Sequence, residues 1–500
     1  MAIDRPLHWL VAGLLAFGAG GAAAQEPLSI IDWLDTVPTP AAPRVIAPPA
    51  PVIVTPLAAS EPTRIGLAPP QISGLAHDIW QSLDGAALAQ TLAGLPDQGL
   101  PAGQALLMTL LLAETTNPPA TPQAQDQFLL ARVDMLIHYG AMEPALALLQ
   151  SAGATATPDR FARFMDVALL LGLEDAACAQ LLAQAHLAPS QAHLVFCLAR
   201  AGDWRGADVV LGAHMALAQE DAPLDQLLLR FLHPDAFEDS PLPDVPLSPL
   251  MFRLRESIGE PLPTRPLPRA YAVADLRDIA GWKAQLDAAE RLARSGALAD
   301  NRLLGLYSER IAAASGGVWD RVRAVQQLES ALQIGEAARI ERALITAWDV
   351  MFEAGLAPQL AVLFADQLAA VPLRGPARQI ALRLQLLSPG YRAAAQSAGT
   401  EIPAVLRALA LGQSATPHTP LDDALLEGAI LEEAAPNTAH PADPQALGAA
   451  LLTALALLQR GADGDLGALT SSLNILNMNG FTDAARRASL QMLLLADGGI

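Results

Sequence analysis

Both cysteines of the chain, Cys178 and Cys197, lie in the stretch CAQLLAQAHLAPSQAHLVFC together with His186 and His193. Thiols and imidazoles so close in sequence suggest a redox pair, a metal centre or a disulfide. A redox pair uses Cys-x-x-Cys spacing, which is missing. The histidines straddle Pro189 without the helical spacing of zinc ligands, and they are expected at solvent-facing or helix-end positions. The disulfide fits best. Cys178 shares a helical stripe with Leu181, Leu182 and Ala185, and Cys197 shares one with Leu194 and Ala201. With a turn near Ala188, the two sulfurs stand at heights only about 3 Å apart on an antiparallel helix pair. Two buried free thiols remain the open alternative. In an exported chain oxidation is favoured, and closing this loop would stabilise the fold by about 3 kcal/mol.

Other reactive patterns are sparse. There is no G-x-S-x-G, P-loop or H-E-x-x-H motif, and no metal or cofactor is expected. The acidic run LDDALLEGAILEE, with Asp422, Asp423, Glu427, Glu432 and Glu433, reads as a solvated helix face. The formal net charge is −20, and Lys283 is the single lysine. Such a chain is repelled by phosphate backbones and anionic lipid, so no nucleic-acid partner is expected.

The elements that must position these residues are helices. Hydrophobic residues make up 52% of the chain and aromatics only 4%; Ala and Leu dominate, joined by the helix formers Gln, Glu and Arg, the composition of closely packed helices. The expected fold class is all-α. Leu129, Val133, Leu136 and Ile137 form one stripe, and the helix after it begins near Pro144, so Gly140 joins a helical hairpin. That joint recurs. Gly140 is followed by Ala145, Gly172 by Ala177, Gly202 by Ala207 and Gly480 by Ala485. A glycine can end one helix in a left-handed conformation, and a small alanine five positions on lets the next helix approach closely. Turns at Gly296 and Gly355 resemble these joints but lack the alanine.

In Gly202-Asp203-Trp204-Arg205-Gly206-Ala207, and less fully in Gly480 to Ala485, the sequence resembles the tetratricopeptide repeat. The glycine spacings of 32 and 30 residues lie near the family's period of about 34, while its early Trp, Leu-Gly and Tyr positions are mostly absent. The resemblance implies a degenerate α-solenoid with a protein-binding inner groove. Glu256-Ser257 is also similar to the catalytic dipeptide of soluble lytic transglycosylases, which place a lysozyme-like domain beside an α-superhelix. No lysozyme-like stretch follows it here, and a linker residue is expected.

The start, MAIDRPLHWLVAGLLAFGAGGAAAQ, has the layout of a secretory signal peptide with cleavage after Ala24. Residues 1–24 are therefore expected to be removed, leaving membrane contact only if cleavage fails. Residues 25–72 carry an apolar motif and then a proline-rich spacer; Ile30, Ile31, Trp33 and Leu34 are candidates for docking on a partner. Residues 73–233 and 270–412 read as two helical-repeat blocks. Between them, 234–269 reads as a linker with nine prolines. Residues 413–445 read as an acidic helix and linker, and 446–500 as a C-terminal helical cap. Leu106 to Ala113 reads as a buried helix. Trp319, after Gly316-Gly317, is expected to staple its helix to the core. The functional expectation is a non-catalytic, exported periplasmic scaffold or adaptor that binds a protein of the cell envelope. The rival is an envelope enzyme, such as a peptidoglycan hydrolase with a carboxylate site. An enzyme would need a polar cleft holding a buried acid of shifted pKa.

Overall fold

Capping and proline placement set the first helices of the computed structural model, which describes residues 64–217, 222–237, 240–413, 430 and 441–496. The signal segment, Ile30, Ile31, Trp33, Leu34 and the acidic residues Asp422, Asp423, Glu427, Glu432 and Glu433 lie outside the described residues. Asp84 accepts from the Ala86 and Ala87 amides and starts α1 (Gly85–Ala93). Proline occupies the first turn of α2 (Pro101–Leu112), α3 (Pro122–Tyr139) and α5 (Pro158–Leu171), where a missing amide costs nothing. Thr121 and Thr157 cap the last two. Between them lies α4 (Met142–Ser151), followed by α6 (Glu174–Ala183), α7 (Gln191–Arg200), α8 (Trp204–Leu217) and α9 (Pro223–Leu232). Consecutive helices from α3 to α8 pack on one another. The fold is all-α apart from a two-residue antiparallel pairing of Arg64–Ile65 with Thr115–Thr116. Arg132, buried in α3, fixes that edge by donating to the Leu111, Ala113 and Ile65 carbonyls.

The glycine joints share one hydrogen-bond pattern. Gly140, Gly172, Gly202 and Gly480 have φ of 83°, 77°, 88° and 84°. The amide after each glycine donates five residues back: Ala141 to Leu136, Leu173 to Ala168, Asp203 to Leu198 and Phe481 to Leu476. This closes the helix end, and Ala145, Ala177, Ala207 and Ala485 are all buried. Gly355 makes the same closure, Leu356 to Met351, with buried Leu360 in the alanine's place. Gly296 closes likewise, Ala297 to Leu292, with exposed Asn301 five positions on, so the closure itself does not depend on the residue there.

The expected linker 234–269 is corrected by the structure. Ser248 accepts from the Met251 amide and caps α10 (Pro249–Ser257), whose Leu250, Met251, Phe252 and Leu254 are buried. A 3-10 helix, Arg269–Leu276, follows with Tyr271, Ala272, Val273 and Ala274 buried. α10 packs on α5, and the 3-10 helix packs on α3, α5 and the next helix, α11 (Trp282–Arg294). Apolar side chains at these positions make the segment part of the common core.

Beyond it run α12 (Asp300–Ser308), α13 (Val318–Ile334), α14 (Ala337–Glu353), α15 (Ala357–Ala369), α16 (Gly375–Leu387), α17 (Tyr391–Ala398) and α18 (Ala404–Leu411). Trp319 is partly buried against the core, its ring 5.1 Å from that of Trp282. The last helices are α19 (Leu447–Ala462), α20 (Leu466–Met478) and α21 (Thr482–Ala496). They do more than cap an end. α19 and α21 pack on α2, and α21 also meets α16 and α18. The Gln491 side chain accepts from the Ala102 amide at 2.8 Å, and Gln459 accepts from Gly99 at 2.6 Å. α2 is apolar on most sides, with Leu106, Leu107, Leu110 and Leu111 buried, as a helix surrounded by others must be. Residues 73–233, 270–412 and 446–496 therefore share one core, which corrects the expectation of separate blocks.

Candidate functional site

Helical spacing puts Gln127, Ala131, Asp134 and His138 on one face of α3, and Arg163, Asp166 and Leu170 on one face of α5. These faces line two adjoining cavities. The first, about 610 Å³, lies against α1 over an apolar floor that includes Ala89, Ala93, Leu130 and Met135. The second, about 490 Å³, is walled by Ile137, Leu170, Pro249, Pro268 and Tyr271, and carries Asp166, Arg269 and Arg291. Asp134, His138 and Arg163 border both. The far wall of the second cavity is the segment expected to be a linker.

Most charges around it already have partners. Arg163 grips Asp134 through Nε and Nη2 at 3.1 and 3.3 Å, and donating to Asp134 raises the guanidinium's pKa against the effect of burial. Asp97 lies 2.7 Å from His138 Nε2 and accepts from Arg269 at 3.0 Å. Burial works to raise its carboxyl, yet the bonds to His138 and Arg269 hold it below the usual range. The Arg269 guanidinium also stands 5.3 Å from the centre of the Tyr139 ring. Arg291 donates to the Thr264 and Leu267 carbonyls, and burial followed by repulsion from Arg269 and Arg294 lowers its pKa.

Asp166 is the exception. No hydrogen bond reaches its half-buried carboxylate among the described residues. Burial pushes it up to about 6; Arg163 pulls it down and Asp134 adds to the rise. Tyr271 is pushed up to about 12, first by burial and then by the nearby Asp166. A second open valence is Arg269 Nη1, buried without a hydrogen-bond partner.

The residues singled out by sequence fall elsewhere. Cys178 and Cys197 form a disulfide between α6 and α7 with Cα atoms 4.9 Å apart, and both are buried, so the bond is structural. His186 is exposed in the turn. His193 sits in the first turn of α7, 2.9 Å from Ser190 Oγ, and burial pushes it down to about 4. Glu256 joins Arg253 and Arg277 in ion pairs, one guanidinium on each oxygen, and Arg253 continues to buried Glu174. Both carboxylate oxygens of Glu256 are thus held in ion pairs. Of the joint glycines, two are closely packed: a Cβ on Gly140 would run into Leu292, and one on Gly172 would meet Arg277 at 3.1 Å.

Sequence reasoning missed Asp134, His138, Arg163 and Asp166. Their i, i+3 and i+4 spacing was a usable signal, but an amphipathic helix carries charges at that spacing on any solvated face. The opposite wall left no signal, because 268–271 comes from a segment rich in proline. Among the described residues no three His, Cys, Asp or Glu side chains gather as a metal site, and no helix is long and apolar enough to cross a membrane. Compared with family models, curated proteins and solved structures, the chain shows no match.

Proposed function

We propose that this is an exported, non-catalytic adaptor of degenerate tetratricopeptide-like hairpins, which binds a polypeptide segment of a partner protein in the periplasmic cell envelope. The observation that carries this reading is the pair of adjoining cavities along one face of α3 and α5, an apolar floor leading into a charged chamber. Such a combination suits a peptide, whose apolar side chains and polar backbone need both kinds of wall. The signal-like start and the disulfide support export. Nucleic acid is disfavoured by the charge, and no cofactor is needed. The test is crosslinking of the tagged chain in its native envelope, comparing wild type with Ala93→Trp, which fills the apolar chamber from an exposed position. A partner captured by wild type and lost with Ala93→Trp supports the reading. Equal capture by both, or capture of nothing above background, overturns it. A parallel deletion of residues 28–59, which leaves the Arg64–Ile65 pairing in place, tests whether Ile30, Ile31, Trp33 and Leu34 dock separately.

One observation favours an envelope hydrolase instead: Asp166, a carboxyl raised to about 6 inside a cavity, has the pKa of a general acid. Glycoside hydrolysis needs a second free carboxylate, and Asp134 is clamped by Arg163. Release of soluble fragments from purified peptidoglycan by wild type but not by Asp166→Asn would establish this second reading.

A further inference from the structure

Resting on the peptide-binding reading above, we infer that the charged chamber selects a basic residue, lysine or arginine, in the partner's docking segment. The cation pairs with Asp166. Three arginines border the chamber, which at first suggests an anionic ligand. Yet Arg163 is spent on Asp134, Arg291 on two backbone carbonyls, and one arm of Arg269 on Asp97. Among the described residues the Asp166 carboxylate is the one acid lining the chamber that no hydrogen bond or ion pair reaches. A carboxylate ligand would crowd against Asp166 and leave its oxygens unsatisfied. A basic residue gives Asp166 the partner it lacks, since a buried polar group gains most from a charged partner.

The walls agree with this choice. Ile137, Leu170, Pro249 and Pro268 offer apolar surface to the methylene stem, and Tyr271 lines the same wall near Asp166. At longer range the net charge of −20 steers a basic segment towards the chain and repels an acidic one.

The experiment is selection from a displayed random heptapeptide library against the full chain, Asp166→Asn and Ala93→Trp in parallel. The expected result is enrichment on wild type of sequences with Lys or Arg at one fixed position, a preference lost on Asp166→Asn. A selected peptide, resynthesised, should bind at least tenfold more weakly when that residue is replaced by norleucine or when Asp166 is replaced by Asn. The two changes together should cost little more than either alone. Asp166 has no hydrogen bond to lose, and the norleucine arm leaves the protein untouched, so misfolding cannot imitate the result. Enriched peptides without a basic residue, with acidic residues instead, or with an undiminished preference on Asp166→Asn overturn this inference and leave the adaptor reading standing. Failure to enrich any peptide on wild type relative to Ala93→Trp overturns both.

Discussion

Asp166 carries a cost of folding as well as an open valence. Its carboxyl is raised to about 6 on folding, so between about pH 4 and pH 6 the folded chain keeps a proton that the unfolded chain has already lost. Stability through this group is therefore greatest near pH 4 and falls as pH rises through 6. Asp300, raised to about 6 by burial alone, acts in the same direction. Asp166→Asn should raise stability at pH 7 by about 1 kcal/mol, a value discounted because water reaches a half-buried carboxylate. The gain should vanish near pH 4. Urea unfolding of both proteins across this range measures it, and an unchanged difference at pH 4 would refute the titration. The disulfide makes a separate contribution at this scale. Replacing Cys178 and Cys197 together by serine should lower the unfolding free energy by about 3 kcal/mol, read from the urea midpoint under oxidising conditions.

At the scale of elements the glycine joints give paired tests. Gly140 and Gly202 have nearly the same φ, 83° and 88°, and both should pay about 1–2 kcal/mol for a Cβ in the left-handed region. They differ in surroundings. The Cβ of Gly202→Ala meets nothing within 4 Å, whereas that of Gly140→Ala runs into Leu292. Gly140→Ala should therefore cost about 1–3 kcal/mol more than Gly202→Ala, measured by thermal unfolding of the two variants side by side. These joints were legible in sequence because φ and the following closure depend on a few adjacent residues. α10 was legible only in part. Ser248-Pro249 is a capping pair followed by apolar residues, but nine prolines in 36 residues made the composition read as a linker, although several of them sit where a first turn or an extended stretch tolerates them.

At the scale of the whole molecule, the two ends of the described chain meet at α2. The last helices also meet the first described residues at Gly448, whose amide donates to the Ile79 carbonyl and where an added Cβ would strike the Trp80 ring. Gly448→Ala should destabilise by about 1–3 kcal/mol through overpacking and speed proteolysis at residues 64–82 and 441–447. Unchanged cleavage would mean that the last helices do not depend on this contact. Composition and periodicity by themselves determined an all-α chain, its left-handed joints, the buried 106–113 helix and two cysteines able to meet, because each depends on local backbone preference or on one helix's spacing. The partners of those helices were decided only in three dimensions. Hydrophobic burial is non-directional, so a stripe announces that it will be covered without naming its cover; the 249–276 segment, α2 and the last helices won those positions by shape. The chamber around Asp166 exists for the same reason, since its walls come from residues more than a hundred positions apart.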